Sequence, residues 1–144
     1  MAEIETGVLT EILLDTRADR LEDYARDHLS ALEPMSFGAY YQEVLTRHHI
    51  TRAAAIANSG IEVHYAYQIL SGLKNASRDK LLCLCIGGGL TIQETNRALA
   101  RASAGCLYPK RLRDAIIMLA LNKHLRTVWA ANELLAAHRE PLLE

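Results

Sequence analysis

Residues 50–72 read ITRAAAIANSGIEVHYAYQILSG, and they carry the most informative pattern in the chain. A short helix is predicted over residues 51–57, because the hydroxyl of Thr51 can accept hydrogen bonds from the free N–H groups of a first helical turn. Asn58-Ser59-Gly60 then supplies a tight turn, since Gly60 tolerates the left-handed backbone that often follows a helix end. A second helix is predicted over residues 62–70. Two short helices joined by a glycine-containing turn are typical of a helix-turn-helix unit.

Helical spacing of apolar residues continues along the rest of the chain and predicts an all-α protein. Half of the 144 residues are hydrophobic, aromatic residues make up only 6%, and alternating β-branched runs that would predict strands are missing from the sequence. Ser36 and Ser77 are predicted helix N-caps, and Thr91 with Glu94 has the spacing of a capping box. The further helices are predicted at about 3–15, 18–31, 36–48, 78–86, 92–103, 110–121 and 126–138.

The formal charge divides the chain unevenly, although the net value is only −1. Residues 1–34 contain nine acidic and three basic side chains, a charge of −6, whereas residues 35–108 carry +3 and residues 109–144 carry +2. We therefore divide the chain into an acidic N-terminal helical arm (1–34), a helix-turn-helix core (35–106) and a C-terminal helical hairpin (107–144). The hairpin either packs on the core or forms a dimer interface, and its Asp114 is expected to cap the helix or to pair with Arg111 or Arg113.

Three cysteines without the spacing of a disulfide scaffold favour a reducing compartment, and we expect a cytoplasmic protein. No apolar run in the sequence approaches the roughly 20 residues of a membrane-spanning helix. Cys83 and Cys85 are two residues apart on a predicted helix and so project in different directions, which suits small core residues better than metal ligands. Gly87-Gly88-Gly89 lacks the lysine and hydroxyl residue of a phosphate-binding loop. We expect no catalytic residue, no metal and no cofactor.

Residues 50–90 resemble the xenobiotic-response-element family of bacterial regulators, which share the lambda-repressor-like helical fold. The resemblance implies a lambda-repressor-like helix-turn-helix bundle with additional flanking helices, which binds double-stranded DNA as a homodimer. The chain departs from the family pattern at Arg52, where glutamine is usual, at Ile56, where alanine is usual, and at Glu62-Val63, where small polar residues open the second helix. The resemblance is carried by Ile50-Thr51, Gly60-Ile61, Ile69, Gly72, Ala76-Ser77, Leu81-Leu82-Leu84 and Gly89-Leu90-Thr91.

In a helix-turn-helix protein the N-terminal half of the second helix enters the major groove. Ala66 and Ile69 are then expected to face the core, and Val63 points outward together with the candidates for base contact, which are Glu62, His64, Tyr67 and Gln68. Gln68 is the strongest of these, because its amide can form two hydrogen bonds with adenine. The candidates for phosphate contact flank this helix, where cations and helix N-termini meet the DNA backbone; they are Thr51, Arg52, Lys74, Asn75 and Arg78.

Three features keep a second interpretation open: the near-neutral net charge, Glu62-Val63 at the start of the reading helix, and the acidic arm. In that interpretation the helix-turn-helix domain serves as a protein-protein docking or antitoxin-like module. RNA binding is disfavoured, because the sequence offers neither an aromatic stacking platform nor a strongly basic stripe. The charge division adds a regulatory hypothesis, in which residues 1–34 cover the basic face and compete with DNA.

Overall fold

Seven α-helices follow one another over residues 35–144, which are the residues that the computed structural model describes. The all-α prediction is confirmed there, and no β-strand occurs within that range. The helices predicted at 3–15 and 18–31, and with them the acidic arm, lie outside the described residues. The helices are α1 (Phe37–Arg47), α2 (Arg52–Ser59), α3 (Val63–Leu70), α4 (Arg78–Gly87), α5 (Ile92–Arg101), α6 (Leu112–Asn122) and α7 (Val128–Ala137).

Local side-chain caps start most of these helices, as the sequence predicts. The hydroxyl groups of Ser36, Thr51 and Ser77 each accept a hydrogen bond from the backbone N–H three residues later. The capping box of α5 is complete, because Glu94 N donates to Thr91 Oγ1 at 3.1 Å and Thr91 N donates to Glu94 Oε1 at 2.9 Å. Each cap satisfies N–H groups that a helix cannot satisfy internally, so short polar residues determine where these helices begin.

The boundaries differ from the prediction by up to two residues at α2 and around the loop between α5 and α6. Helix α2 includes Asn58 and Ser59, which the sequence predicts as part of the turn. Helix α5 ends at Arg101 because Ser103 adopts a left-handed backbone with φ 54° and cannot continue the helix. Helix α6 begins only at Leu112, since Arg111 is still extended and its side chain provides no cap.

Helix α4 lies at the centre of this unit and is buried on every side from Leu81 to Gly88. Helix α1 is tied to it by the phenol of Tyr41, which donates to the carbonyl oxygen of Leu84 at 2.6 Å. The predicted core role of Cys83 and Cys85 is confirmed, because both side chains are buried. Burial raises the pKa of Cys83 to about 11 and that of Cys85 to about 12, so both thiols stay protonated at neutral pH.

Helices α6 and α7 form a hairpin, and two ion pairs connect this hairpin to α4. Arg78 binds Asp114 with N–O distances of 2.9 and 3.0 Å, and Arg113 binds Asp79 with distances of 2.8 and 3.0 Å. The expectation that Asp114 pairs with Arg111 or Arg113 is therefore wrong. Each Arg-Asp dipeptide instead reaches across to the other, which joins the first turn of α4 to the first turn of α6 with bidentate, charge-assisted hydrogen bonds.

Candidate nucleic-acid interface

The turn between α2 and α3 is built by Ser59 and Gly60. Gly60 has φ 72° and ψ 5°, the left-handed conformation that the sequence predicts for this position. Ser59 is buried, and its hydroxyl donates to the carbonyl of Ile56 at 2.6 Å while it accepts from the N–H of Ile61 at 3.2 Å. Sequence reasoning missed this role of Ser59, although a small hydroxyl residue directly before a turn glycine is a signal for it. The hydrogen bonds of the Ser59 hydroxyl and the left-handed backbone of Gly60 together form the turn from α2 to α3.

Helix α3 presents its predicted face to solvent. Ala66 and Ile69 are buried, as expected, whereas Val63, His64 and Tyr67 are exposed. Gln68 is half-buried at the edge of the same face. Because positions i, i+1, i+4 and i+5 of a helix lie on one side, residues 63, 64, 67 and 68 form a continuous outward surface, which we call the α3 face.

Glu62 differs from its expected role. Its carboxylate caps α3, accepting from the N–H of His64 at 3.0 Å and from the N–H of Tyr65 at 2.8 Å. These two backbone hydrogen bonds lower the pKa of the carboxyl group, so it stays charged at neutral pH. Both carboxylate oxygens already bind the helix, and the same contacts occupy two N–H groups that a phosphate would otherwise use. Glu62 therefore caps α3, a role that was not predicted from the sequence, and its contact with a base stays a prediction.

The phosphate candidates at the start of α2 are exposed, and each forms a hydrogen bond within the protein. The hydroxyl of Thr51 caps α2 by accepting from the N–H of Ala54 at 3.1 Å. The Nε of Arg52 donates to the side-chain oxygen of Gln42 on α1. Gln42, to which the sequence assigned no role, donates in turn to the hydroxyl of Thr46 at 3.1 Å. This chain of contacts holds the guanidinium of Arg52 beside the first turn of α2.

Lys74 and Asn75 follow the end of α3 after three further residues, and both are exposed. The backbone N–H of Lys74 donates to the carbonyl of Gln68 at 3.1 Å, so the loop folds back onto the last turn of α3. This contact places an exposed ammonium group and an exposed amide at the C-terminal end of the helix that bears the α3 face.

Arg78 has a different role from the predicted phosphate contact. Besides its bidentate pair with Asp114, its Nε donates to Gly105 O at 3.0 Å and its Nη2 donates to Cys106 O at 2.9 Å. Asp114, which is only 4% exposed, also accepts from the N–H of Tyr108 at 2.9 Å. The guanidinium therefore joins α4, the loop before α6 and α6 itself. A phosphate would have to break these internal contacts, and we remove Arg78 from the phosphate candidates.

Residues 35–144 give no support for a metal site or for a membrane-spanning helix. Over residues 35–144, no three His, Cys, Asp or Glu side chains come together as metal ligands. No helix in the described part of the chain combines the length and the apolar character needed to cross a membrane.

No known protein family matches this chain, and no characterised protein or solved structure matches it either. The basis for a functional proposal is therefore the geometry of α2, the Gly60 turn and α3, together with the chemistry of the side chains around them.

Proposed function

We propose that this chain is a transcription regulator that binds double-stranded DNA with α3 in the major groove and acts as a homodimer. The observation that supports this proposal best is the pairing of α2 and α3 through the left-handed turn at Gly60, with the α3 face open to solvent. A major groove about 12 Å wide admits a helix of this kind, and helix-turn-helix proteins present the first turns of their second helix to the bases. The resemblance of residues 50–90 to bacterial regulators points the same way.

In this proposal the bases are read by His64, Tyr67 and Gln68. The side-chain amide of Gln68 pairs with N6 and N7 of adenine, and the imidazole of His64 donates to guanine N7 or to a phosphate. Thr51 and Arg52 at one end, and Lys74 and Asn75 at the other, bind phosphates and set the register of the helix.

A homodimer is supported by the small number of cations at the proposed interface, where Arg52 and Lys74 are the charged candidates for phosphate contact that remain. Residues 35–144 contain thirteen Lys and Arg against eight Asp and Glu, and Arg78 and Arg113 are held in ion pairs. Specific DNA-binding proteins often neutralise roughly 6–10 phosphates, a number that one protomer does not reach with Arg52 and Lys74 alone. Two protomers on half-sites about one helical turn apart double these contacts.

The first experiment is selection of binding sites from random duplex DNA with purified protein at about 150 mM salt. A pseudo-palindromic motif is the expected result, and Gln68→Ala should relax the preference at one position of each half-site. Lys74→Ala should weaken binding equally for all sequences and reduce the slope of log affinity against log salt by about 1 for each phosphate contact. Lys110→Ala, which changes another exposed lysine outside the proposed interface, is the matched control and should leave that slope unchanged. A selection that enriches no motif would refute the proposal.

A second function, docking of a protein partner, is favoured by the apolar character of the exposed surface. Val63 is 53% exposed, Leu73 after α3 is 73% exposed, and Trp129 on α7 is 72% exposed. Exposed apolar side chains mark protein interaction sites where they form a contiguous patch. A docking module should tolerate Arg52→Ala and lose its partner on Trp129→Ala, whereas a DNA-binding protein should respond in the opposite way.

A further inference from the structure

The first turn of α3 offers an apolar group to the groove where a polar one is more usual. Val63 is the first residue of this helix, and just over half of its surface is exposed, so its isopropyl group projects into solvent. Tyr67, one helical turn later on the same side, is 40% exposed. The leading edge of the α3 face therefore consists of a β-branched aliphatic side chain followed by an aromatic ring.

The contacts of Glu62 occupy polar backbone groups next to this edge. Its carboxylate is turned toward the N–H groups of His64 and Tyr65 and binds them with both oxygens. Two N–H groups of the first turn are thus satisfied by the capping side chain, and beside Val63 they are not available to a base edge.

Among the base edges of the major groove, only thymine presents an apolar group, its C5-methyl. The other edges present nitrogen and oxygen atoms, which would lose hydration against an isopropyl group without gaining a hydrogen bond. Accordingly, we infer that Val63 selects a thymine by contact with its methyl group, and that each half-site contains one such thymine opposite the start of α3. This inference rests on the proposed function, because it assumes that α3 enters the major groove.

The test replaces single thymines by deoxyuridine in the duplex obtained from the selection, which removes one methyl group and no hydrogen-bonding atom. Wild-type protein should lose about three- to fivefold in affinity at one position of each half-site, which corresponds to the burial of one methyl group. Val63→Ala should bind the thymine duplex less tightly and should no longer distinguish thymine from deoxyuridine at that position. Tyr67→Ala is the control and should retain the distinction.

The outcomes separate this inference from the proposed function. A selected motif that is insensitive to deoxyuridine at every position would overturn the inference and leave DNA binding in place. Sensitivity that persists in Val63→Ala would overturn it as well, since another side chain would then contact the methyl group. If no motif is selected at all, the proposed function fails and the inference fails with it. Because Val63 is exposed, the thermal midpoint of Val63→Ala should match wild type, which shows that the variant is folded.

Discussion

Replacement of Gly87 by alanine tests how closely α2 packs against α4. A Cβ at this position would lie 2.4 Å from the carbonyl oxygen of Ala55 and 2.7 Å from the backbone nitrogen of Ser59, both on α2. These are backbone atoms, so no side-chain rotation relieves the overlap. Helix α2 has to move away by about 0.6 Å before the shorter contact reaches 3.0 Å, below which real Cβ contacts essentially never occur.

The expected loss of stability combines two opposing contributions. Alanine is favoured over glycine inside a helix by about 1 kcal/mol. Overpacking of a tight core costs about 1–3 kcal/mol, and contact with rigid backbone puts this site at the upper end of that range. We therefore expect Gly87→Ala to lower the free energy of unfolding by about 2 kcal/mol. Because α2 carries the turn that positions α3, the same variant should also bind the selected DNA more weakly than wild type.

Urea denaturation followed by circular dichroism measures this change, and Gly105→Ala is the matched control. A Cβ at Gly105 would meet nothing within 4 Å, and its backbone is not left-handed. The control should therefore be unchanged or stabilised by up to about 1 kcal/mol, through a smaller entropy of the unfolded chain. A Gly87→Ala protein as stable as the Gly105→Ala protein would refute the close approach of the two helices and the packing derived from it.

Three further predictions concern charge. Asp114→Asn should lower the free energy of unfolding in urea by about 2 kcal/mol, because it breaks charge-assisted hydrogen bonds at a side chain that is 6% exposed. Asp79→Asn should lower it less, because the Asp79 side chain is 25% exposed. Equal losses in the two variants would contradict an effect of burial. The second prediction is loss of stability in acid: the pKa of Asp79 is lowered chiefly by the hydrogen bond from Arg113, and the pKa of Asp114 is lowered because hydrogen bonds from Arg78 and the Tyr108 N–H outweigh its burial. A group whose pKa is lowered in the folded state stabilises the protein above its ordinary pKa of 3.8. That contribution is lost as the pH falls through the lower folded-state pKa. The thermal midpoint should therefore decrease when the pH is lowered below about 4, and it should decrease less in an Asp79→Asn/Asp114→Asn variant. The third prediction is that deletion of residues 1–33 tightens non-specific DNA binding, because it removes a charge of −6; unchanged or weaker binding in a fluorescence anisotropy titration would refute competition by the acidic arm.

Most of the helix positions in residues 35–144 could be predicted, because the signals that start and stop a helix are local. The hydroxyl groups of Ser36, Thr51 and Ser77 act on N–H groups three residues away, and Gly60 adopts a backbone that side chains disfavour. The end of α5 was harder to place, since Ser103 takes a left-handed conformation with no glycine to announce it. The outward orientation of residues 63, 64 and 67 was expected from the docking of helix-turn-helix units, since helical periodicity alone would place the apolar Val63 on the same side as Ala66 and Leu70.

The candidate interface was only partly predictable. Several of its side chains bind partners that are distant in sequence, and the Glu62 carboxylate binds the backbone of its own helix. Arg78 and Asp114 are 36 positions apart, and nothing in their local sequence distinguishes that pairing from one between Asp114 and Arg113. Glu62 could be placed at the start of α3, but whether its carboxylate turns inward or toward a ligand depends on the side-chain conformation. The contact between Arg52 and Gln42 likewise joins two helices, through side chains ten positions apart.

The order of residue types indicated that residues 35–144 are helical and where most of the helices begin. These properties depend on interactions within about four residues, so the local order of residue types is sufficient. The three-dimensional packing determined which charged side chains form ion pairs with one another. It also brings α2 so close to α4 that position 87 requires a glycine. These properties depend on distances between helices, which arise only when α2, α4 and α6 are brought together around one core.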